Sequence, residues 1–570
     1  VGNGQHGTAH WAEHKEISQN FSILKYEPQL WRMGACRPTI DGTIVGFEKK
    51  GKDTYALIDT SDVHTLMIAA AGTGKTTFFL EPNIEYCCAA GMSFISTDTK
   101  GDIYRNCGYV AAKRYGYKIS VIDLRNPLKS DGFNLLHLVK KYMDEHKNNP
   151  LNISAKAKSE RYAKIVADSI IAADGDKYGA NTYFYDAAKG LIAALILIIA
   201  EYGNDKECHI VSVLKLMIEL LEAKPQKKSQ LKSETYFADL IKLLPPEHKA
   251  RWLSGAAINN ADQAALSVIS TALSRLNSLI DTETEQILCF NTAIDTETLC
   301  KEKCAVFIVL PEEDRTKYVI ANLIIEQISR EIYHIADENG GHLDKRIMIY
   351  FEEFGTMPPI SGVEAMFSAL RSRSVSIVAI IRSFAQLEKN YGKQGSEIIV
   401  DNTQLMLFGG FAPGSSSAEK LSKDLGKQTI LTGSISKGNG GKNSGHQSQQ
   451  LQMTGRELIT ADELKCLPKG TFICTKTGMS PFKVQLLFYE KLGIRYDEKL
   501  NAEIKEVKTV YYADRKSISK VIKKQHIDEQ ENEMNKEENV SDINELITDY
   551  SLEEDDIFTE TPSSKKMIRT

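Results

Sequence analysis

The apolar run VHTLMIAA, from Val63 to Ala70, leads directly into Gly72-Thr73-Gly74-Lys75-Thr76-Thr77. A short, partly β-branched stretch of this kind reads as a buried strand, and the residues after it have the make-up of a phosphate loop. Such a loop needs small residues so that backbone N–H groups converge on an anion, a lysine to reach the outer phosphate oxygens, and a hydroxyl to hold Mg²⁺. Ala71, Gly72, Thr73, Gly74, Lys75, Thr76 and Thr77 are therefore the expected ATP-binding residues, with Lys75 also catalytic and Thr76 a ligand of Mg²⁺. The first position of the loop, usually glycine, is Ala69, which serves if its backbone angles are ordinary.

The second half of a hydrolytic phosphate site is an acidic residue at the end of a buried strand, placed to reach the metal while a neighbour polarises water. Ile347-Met348-Ile349-Tyr350-Phe351-Glu352-Glu353 meets that demand. Glu352 is expected beside Mg²⁺ and Glu353 as the general base; the plain alternative is two carboxylates facing solvent. Glu352 stands where Asp is usual, and its extra methylene moves the carboxylate by roughly an ångström unless the strand end adjusts. Further on, Arg371 and Arg373 precede the run Val375 to Ile381. Either could stabilise a γ-phosphate across a subunit boundary, or simply make a surface ion pair.

Around these motifs the pattern alternates. Met92 to Thr97 and Lys118 to Asp123 read as strands with a helix near Ile103 to Arg114 between them, which is the signature of βαβ units and a mostly parallel sheet. From about Ser154 to Asn291 the spacing becomes helical throughout; strand runs return at Ala305 to Leu310, Arg346 to Phe351, Val375 to Ile381 and Leu405 to Phe408. The expected organisation is an N-terminal segment (1–60), a first part of an α/β nucleotide-binding domain (61–153), an all-α insertion (154–291), a second part of the α/β domain (292–495) and a charged, disordered tail (496–570). Gly433 to Gly445, rich in Gly, Ser, Asn and Lys, reads as a mobile surface loop, and Lys516 to Lys524 carries a basic helical pattern within the tail.

With 570 residues, 42% apolar and 25% charged, the chain has the balance of a soluble globular protein of two or three domains. The net charge of -5 is uneven: Asp528 to Glu560 holds fourteen acidic residues and one lysine, which leaves about +8 on the rest. That excess permits contact with a phosphate backbone without requiring it. The ten cysteines include no CxxC pair and read as reduced and mostly buried; Cys300 and Cys304 alone make a poor metal site. The longest apolar run, Leu191 to Ala200, is about half of the roughly 18 residues a membrane span needs.

Taken together, the ordered strings resemble the TraG-type coupling proteins of type IV secretion and conjugation, from His6 to about Tyr489. They are HGTAHWAEHKEI, the phosphate loop, Asp98-Thr99-Lys100-Gly101-Asp102, Asn126-Pro127-Leu128-Lys129-Ser130-Asp131, Glu352-Glu353-Phe354, Arg371-Ser372-Arg373, Ser383-Phe384-Ala385-Gln386-Leu387 and Gly455 to Leu464. The resemblance implies a RecA-like motor that uses ATP and Mg²⁺, with Arg371, Arg382 and Gln386 in its catalytic machinery. It also implies a homohexameric ring at the cytoplasmic face of the cell membrane, held by an N-terminal anchor outside this sequence. Its implied partners are single-stranded DNA, relaxase and relaxosome proteins, and channel subunits. Arg382 replaces the glutamine that such proteins usually carry as a γ-phosphate sensor. Two other readings stay open: a ring translocase of duplex DNA, and an ATP-binding docking scaffold that hydrolyses slowly.

Overall fold

The computed structural model describes residues 4–172, 182–221, 236–255, 262–277, 279–360, 362–437, 447–525 and 527. Strands β1 (Ser22–Lys25), β2 (Thr43–Lys50) and β3 (Asp53–Asp59) form a small antiparallel sheet in the order β1-β3-β2. The main sheet contains β4 (Thr65–Ala69), β5 (Ser93–Asp98), β6 (Lys118–Asp123), β7 (Cys304–Val309), β8 (Ile347–Phe351), β9 (Val375–Ile381) and β10 (Leu405–Gly409). After a hairpin of β11 (Lys427–Lys437) and β12 (Gln447–Glu457), it gains β13 (Thr471–Lys476) and β14 (Phe482–Gln485). Its order is β14-β13-β10-β4-β9-β8-β5-β7-β6. The pairings from β10 to β6 are parallel, and β13 and β14 add antiparallel at one edge.

The parallel strands read as continuous apolar runs because both faces of the sheet are covered. Alternate residues serve opposite cores: Leu66, Ile68, Ile95, Ile308 and Ile349 enter one, while Met67, Ala69, Phe94, Phe307 and Tyr350 enter the other. Ile68 pairs with Ile381, Phe351 with Ala379 and Ser96 with Tyr350. These registers bring the C-terminal ends of β4, β9, β8 and β5 to one edge, where ligands bind in open parallel sheets.

The helical array between β6 and β7 starts at His137–Asn148, earlier than the expected residue 154, and runs through Thr296–Lys301. Its central helix, Thr182–Tyr202, has an 18-residue window of mean hydropathy 1.7 and passes by length and composition for a membrane span, which a count of consecutive apolar residues did not register. From Leu191 to Ala200 it is buried against its neighbours, as in the core of a folded domain.

The opening HGTAH string has a structural task. Thr429 N donates to Gly7 O and Ala9 N to Lys427 O, so the segment lies along β11. Gly7 has φ +145 and a Cβ there would meet Lys427 O at 2.2 Å, a space only glycine fits.

Two expectations need correction. Residues 433–437, assigned to a mobile loop, continue β11 because Gly433 to Lys437 pair with Leu451 to Gln447; 438–446 lie outside the described residues. The tail expected from 496 is ordered to 525: Leu500 N donates to Arg105 O, Lys505 N to Leu128 O and Ala513 N to Ser212 Oγ. This strap joins the α/β domain to the helical array, and a helix at 515–525 then buries Ile518 and Ile522. Scattered hydrogen bonds to distant parts of the chain leave no local periodicity to read. The acidic stretch from Asp528 lies outside the described residues.

Candidate nucleotide-binding site

The loop after β4 is shaped by two glycines with positive φ, Gly72 (+76) and Gly74 (+86), and a Cβ on Gly74 would come within 2.5 Å of the Phe78 ring. Ala69 has no such need: it is the buried last residue of β4, and its backbone is outside the positive-φ region, so alanine serves there. Thr73 Oγ1 donates to Ala70 O at 2.8 Å, tightening the turn. Lys75 curls back over the loop, with Nζ at 3.3 Å from Ala69 O and 3.4 Å from Ala70 O. Burial lowers its pKa from the ordinary lysine value, and the carboxylate of Glu353 at 3.8 Å opposes that shift.

Thr76, one residue on, points its hydroxyl at the end of β8. Its Oγ1 donates to Glu352 Oε1 at 2.9 Å, while Glu352 Oε2 accepts from Thr99 N at 3.0 Å and Thr99 Oγ1 at 3.2 Å. Glu352 N in turn donates to Thr97 Oγ1 at 2.9 Å. The longer side chain thus reaches the loop hydroxyl directly. Burial, and then the neighbouring Asp98, raise the Glu352 pKa above the ordinary carboxyl value. A buried carboxylate and a hydroxyl side by side are hard oxygen donors of the kind Mg²⁺ takes.

Asp98, in the Asp-x-Lys-Gly-Asp string, is a positioning residue. Its carboxylate accepts from the N–H groups of Lys100, Gly101 and Tyr104 at 3.1, 2.7 and 2.8 Å, which fixes the turn into the helix Asp102–Tyr115 and presents Thr99 to Glu352. Sequence reading did not single out Thr97 or Thr99, since one threonine hydroxyl in a strand end carries no signal of its own.

Glu353 is half-buried on the open side of β8. Arg382, at the end of β9, holds it at 3.2 Å, on the same oxygen that faces Lys75. Gln386 does not line the cleft: its Oε1 accepts the Arg382 N–H at 2.8 Å and packs against Gly355, so it positions Arg382. The resulting cleft of about 750 Å³ is lined by loop residues, Glu352, Glu353 and Arg382, and extends past Glu81, Asn106 and Tyr489. Arg371 and Arg373 lie just before β9 starts, at the opposite edge of the sheet. Arg373 is tied to Asp337 at 3.0 Å and lies over the Tyr333 ring; Arg371 is exposed and has no ion pair among the described residues.

Residues 11–520 match the family profile described as Type IV secretory system Conjugative DNA transfer. The chain belongs to that family. Among solved structures, the bacterial conjugative coupling protein TrwBdeltaN70, in an unbound monoclinic form, aligns with a TM-score of 0.55 at 14% identity, over 89% of this chain and 100% of that one. The plasmid coupling protein TrwB in complex with ADP and Mg²⁺ aligns with a TM-score of 0.54 at 13% identity, over 88% and 100%. TrwB with the ATP analogue ADPNP gives 0.53 at 13% identity, again over 88% and 100%. At such identities the likeness concerns the fold, and it agrees with the RecA-like α/β architecture of this conjugative DNA transfer family member. No curated protein matches the chain by sequence.

Proposed function

We propose that this member of the conjugative DNA transfer family is an ATP-hydrolysing coupling protein that moves relaxase-bound single-stranded DNA toward a type IV secretion channel. The observation that carries the reading is the meeting of Lys75, Thr76, Glu352 and Glu353 in one cleft, although the two pairs lie more than 270 residues apart. The backbone N–H groups of the loop and Lys75 bind the phosphates of ATP. Thr76 and Glu352 hold Mg²⁺, which supplies charge neutralisation at the phosphate oxygens. Glu353 accepts the proton of the attacking water, and Arg382 reads the γ-phosphate once it leaves the Glu353 carboxylate. In a homohexameric ring at the cytoplasmic membrane face, Arg371 of one subunit completes the site of the next. The all-α array selects cargo.

A second reading, an ATP-binding docking scaffold, draws on the Arg382–Glu353 pair, which occupies the base at 3.2 Å. Turnover measured with and without single-stranded DNA separates the two. DNA-stimulated hydrolysis that Lys75→Ala abolishes supports the motor; hydrolysis that is slow and indifferent to DNA supports the scaffold.

A further inference from the structure

A phosphate loop binds the phosphates of a nucleotide and leaves its base unread, because the N–H groups and the lysine of the loop converge on the anion alone. Whatever holds the base must stand along the rest of the cleft. Thr77 and Glu81, four residues apart at the start of the helix that follows the loop, both line it, so the cleft runs along that helix for a turn beyond the loop. Tyr489 lines the cleft with them. Tyr318, the other tyrosine of the lining, is buried in the helix Tyr318–Glu338, whereas Tyr489 is half-exposed.

The Tyr489 ring is built onto the loop. Phe78, the residue after Thr77, packs against Phe488 with ring centroids 5.7 Å apart; Phe488 packs against Tyr489 at 4.5 Å, and Tyr489 against Tyr496 at 5.1 Å. Of these four rings Tyr489 alone lines the cleft. Its backbone is fixed: Ile494 N donates to Tyr489 O at 3.1 Å, closing the turn Tyr489–Leu492, and Gln29 Nε2 donates to Gly493 O at 2.6 Å. Leu500 N then ties the following chain to Arg105 O at 2.8 Å. A ring held in advance in this way loses little freedom on meeting a ligand. Its π system suits a nucleobase, since every base has a π face, and stacking needs no hydrogen bond to the base edge.

We propose that Tyr489 is the platform on which the base of the bound nucleotide stacks. The inference rests on the cleft being an ATP site, as proposed above, and adds the residue that recognises the nucleoside. The loop then supplies affinity for the phosphates, while the segment after β14 supplies affinity for the base. Tyr489 takes no part in proton or phosphoryl transfer.

Calorimetric titration of the full chain with ATP and, separately, with inorganic tripolyphosphate, both with Mg²⁺, tests it. Tyr489→Ala binds ATP about tenfold more weakly than wild type does. It binds tripolyphosphate as wild type does, which also shows that the loop is still folded. Tyr489→Phe keeps the ATP affinity; Tyr489→Leu, which fills the space beside Phe488 and Tyr496 without a π face, loses it as alanine does. The inference is overturned if Tyr489→Leu binds ATP as tightly as wild type, or if Tyr489→Ala does. It is equally overturned if ATP and tripolyphosphate weaken by the same factor in both variants, which would make the ring a support for the loop. A wild-type chain that binds neither ligand overturns the ATP reading of the cleft, and this inference with it.

Discussion

The hydroxyl of Thr76 donates to Glu352 Oε1 at 2.9 Å, which joins the phosphate loop to the end of a strand 276 residues further along the chain. Thr76 and Glu352 are the residues that would hold Mg²⁺ here, and the ion would supply charge neutralisation at the phosphate oxygens. Thr76→Ala removes the hydroxyl proposed above as a Mg²⁺ ligand and leaves the loop N–H groups in place. The expected outcome is that Mg²⁺ ceases to strengthen nucleotide binding: calorimetric titration with ATP gives the same affinity with Mg²⁺ as with a chelator, while wild type loses about tenfold or more on chelation.

Arg382 and Glu353 stand 3.2 Å apart with Lys75 on the other side of the same carboxylate oxygen. Arg382→Gln breaks the ion pair while keeping a polar group that can face a phosphate, and its backbone N–H still has Gln386 as partner. On the function proposed above, Glu353 is then free before nucleotide arrives, but the charge-assisted contact of Arg382 to the γ-phosphate is gone. Steady-state kinetics should show KM for ATP raised about tenfold and kcat not lowered. A fall in kcat at unchanged KM would mean that the guanidinium acts in the transition state.

Glu81 is buried, and burial pushes its carboxyl up to about 7 from 4.5; Oε2 has no hydrogen-bond partner among the described residues. A folded-state value above the unfolded one means that the folded chain holds the proton more tightly. The resulting cost is absent below pH 4.5, grows as pH rises and is complete above about 7, with an upper bound on the order of 3 kcal/mol. Glu81→Gln should therefore raise the melting midpoint of the nucleotide-free protein at pH 8 and change it little at pH 5. Equal midpoints at pH 8 would show that the carboxylate is solvated after all.

How much of this was legible depends on how local the signal is. The phosphate loop could be read because all its working atoms come from consecutive residues behind an apolar strand, and Glu352-Glu353 because strand ends in parallel sheets converge on one edge. The register that aligns Ile68 with Ile381 is non-local, so the placement of Arg382 over Glu353 had no signature in the sequence. Thr99 was missed for a related reason: its N–H matters only because Asp98 caps the following helix and turns it toward Glu352. The strap at 497–513 shows the opposite limit. Its composition is that of an unfolded tail, yet Tyr511 O meets His209 and Tyr512 Oη donates to Glu285 Oε2 at 2.7 Å, contacts that belong to the surface it crosses.

Arg371 and Arg373 separate by the same kind of reasoning. Arg373 is bound to Asp337, to Ala369 O and to the Tyr333 ring, so Arg373→Ala should cost about 1 kcal/mol of stability and be visible as a lowered melting midpoint. Arg371 has no such duties, and the length of β9 separates it from the cleft of its own subunit. Arg371→Ala should leave the melting midpoint and nucleotide affinity unchanged, while hydrolysis by the assembled protein falls about a hundredfold or more. Mixing Arg371→Ala with Lys75→Ala chains then recovers part of the activity, because a Lys75→Ala subunit still lends Arg371 to a neighbour whose loop is intact. If dilute, unassembled chains lose the same fraction of their turnover on Arg371→Ala, the arginine acts within its own subunit and the proposed ring contact is wrong.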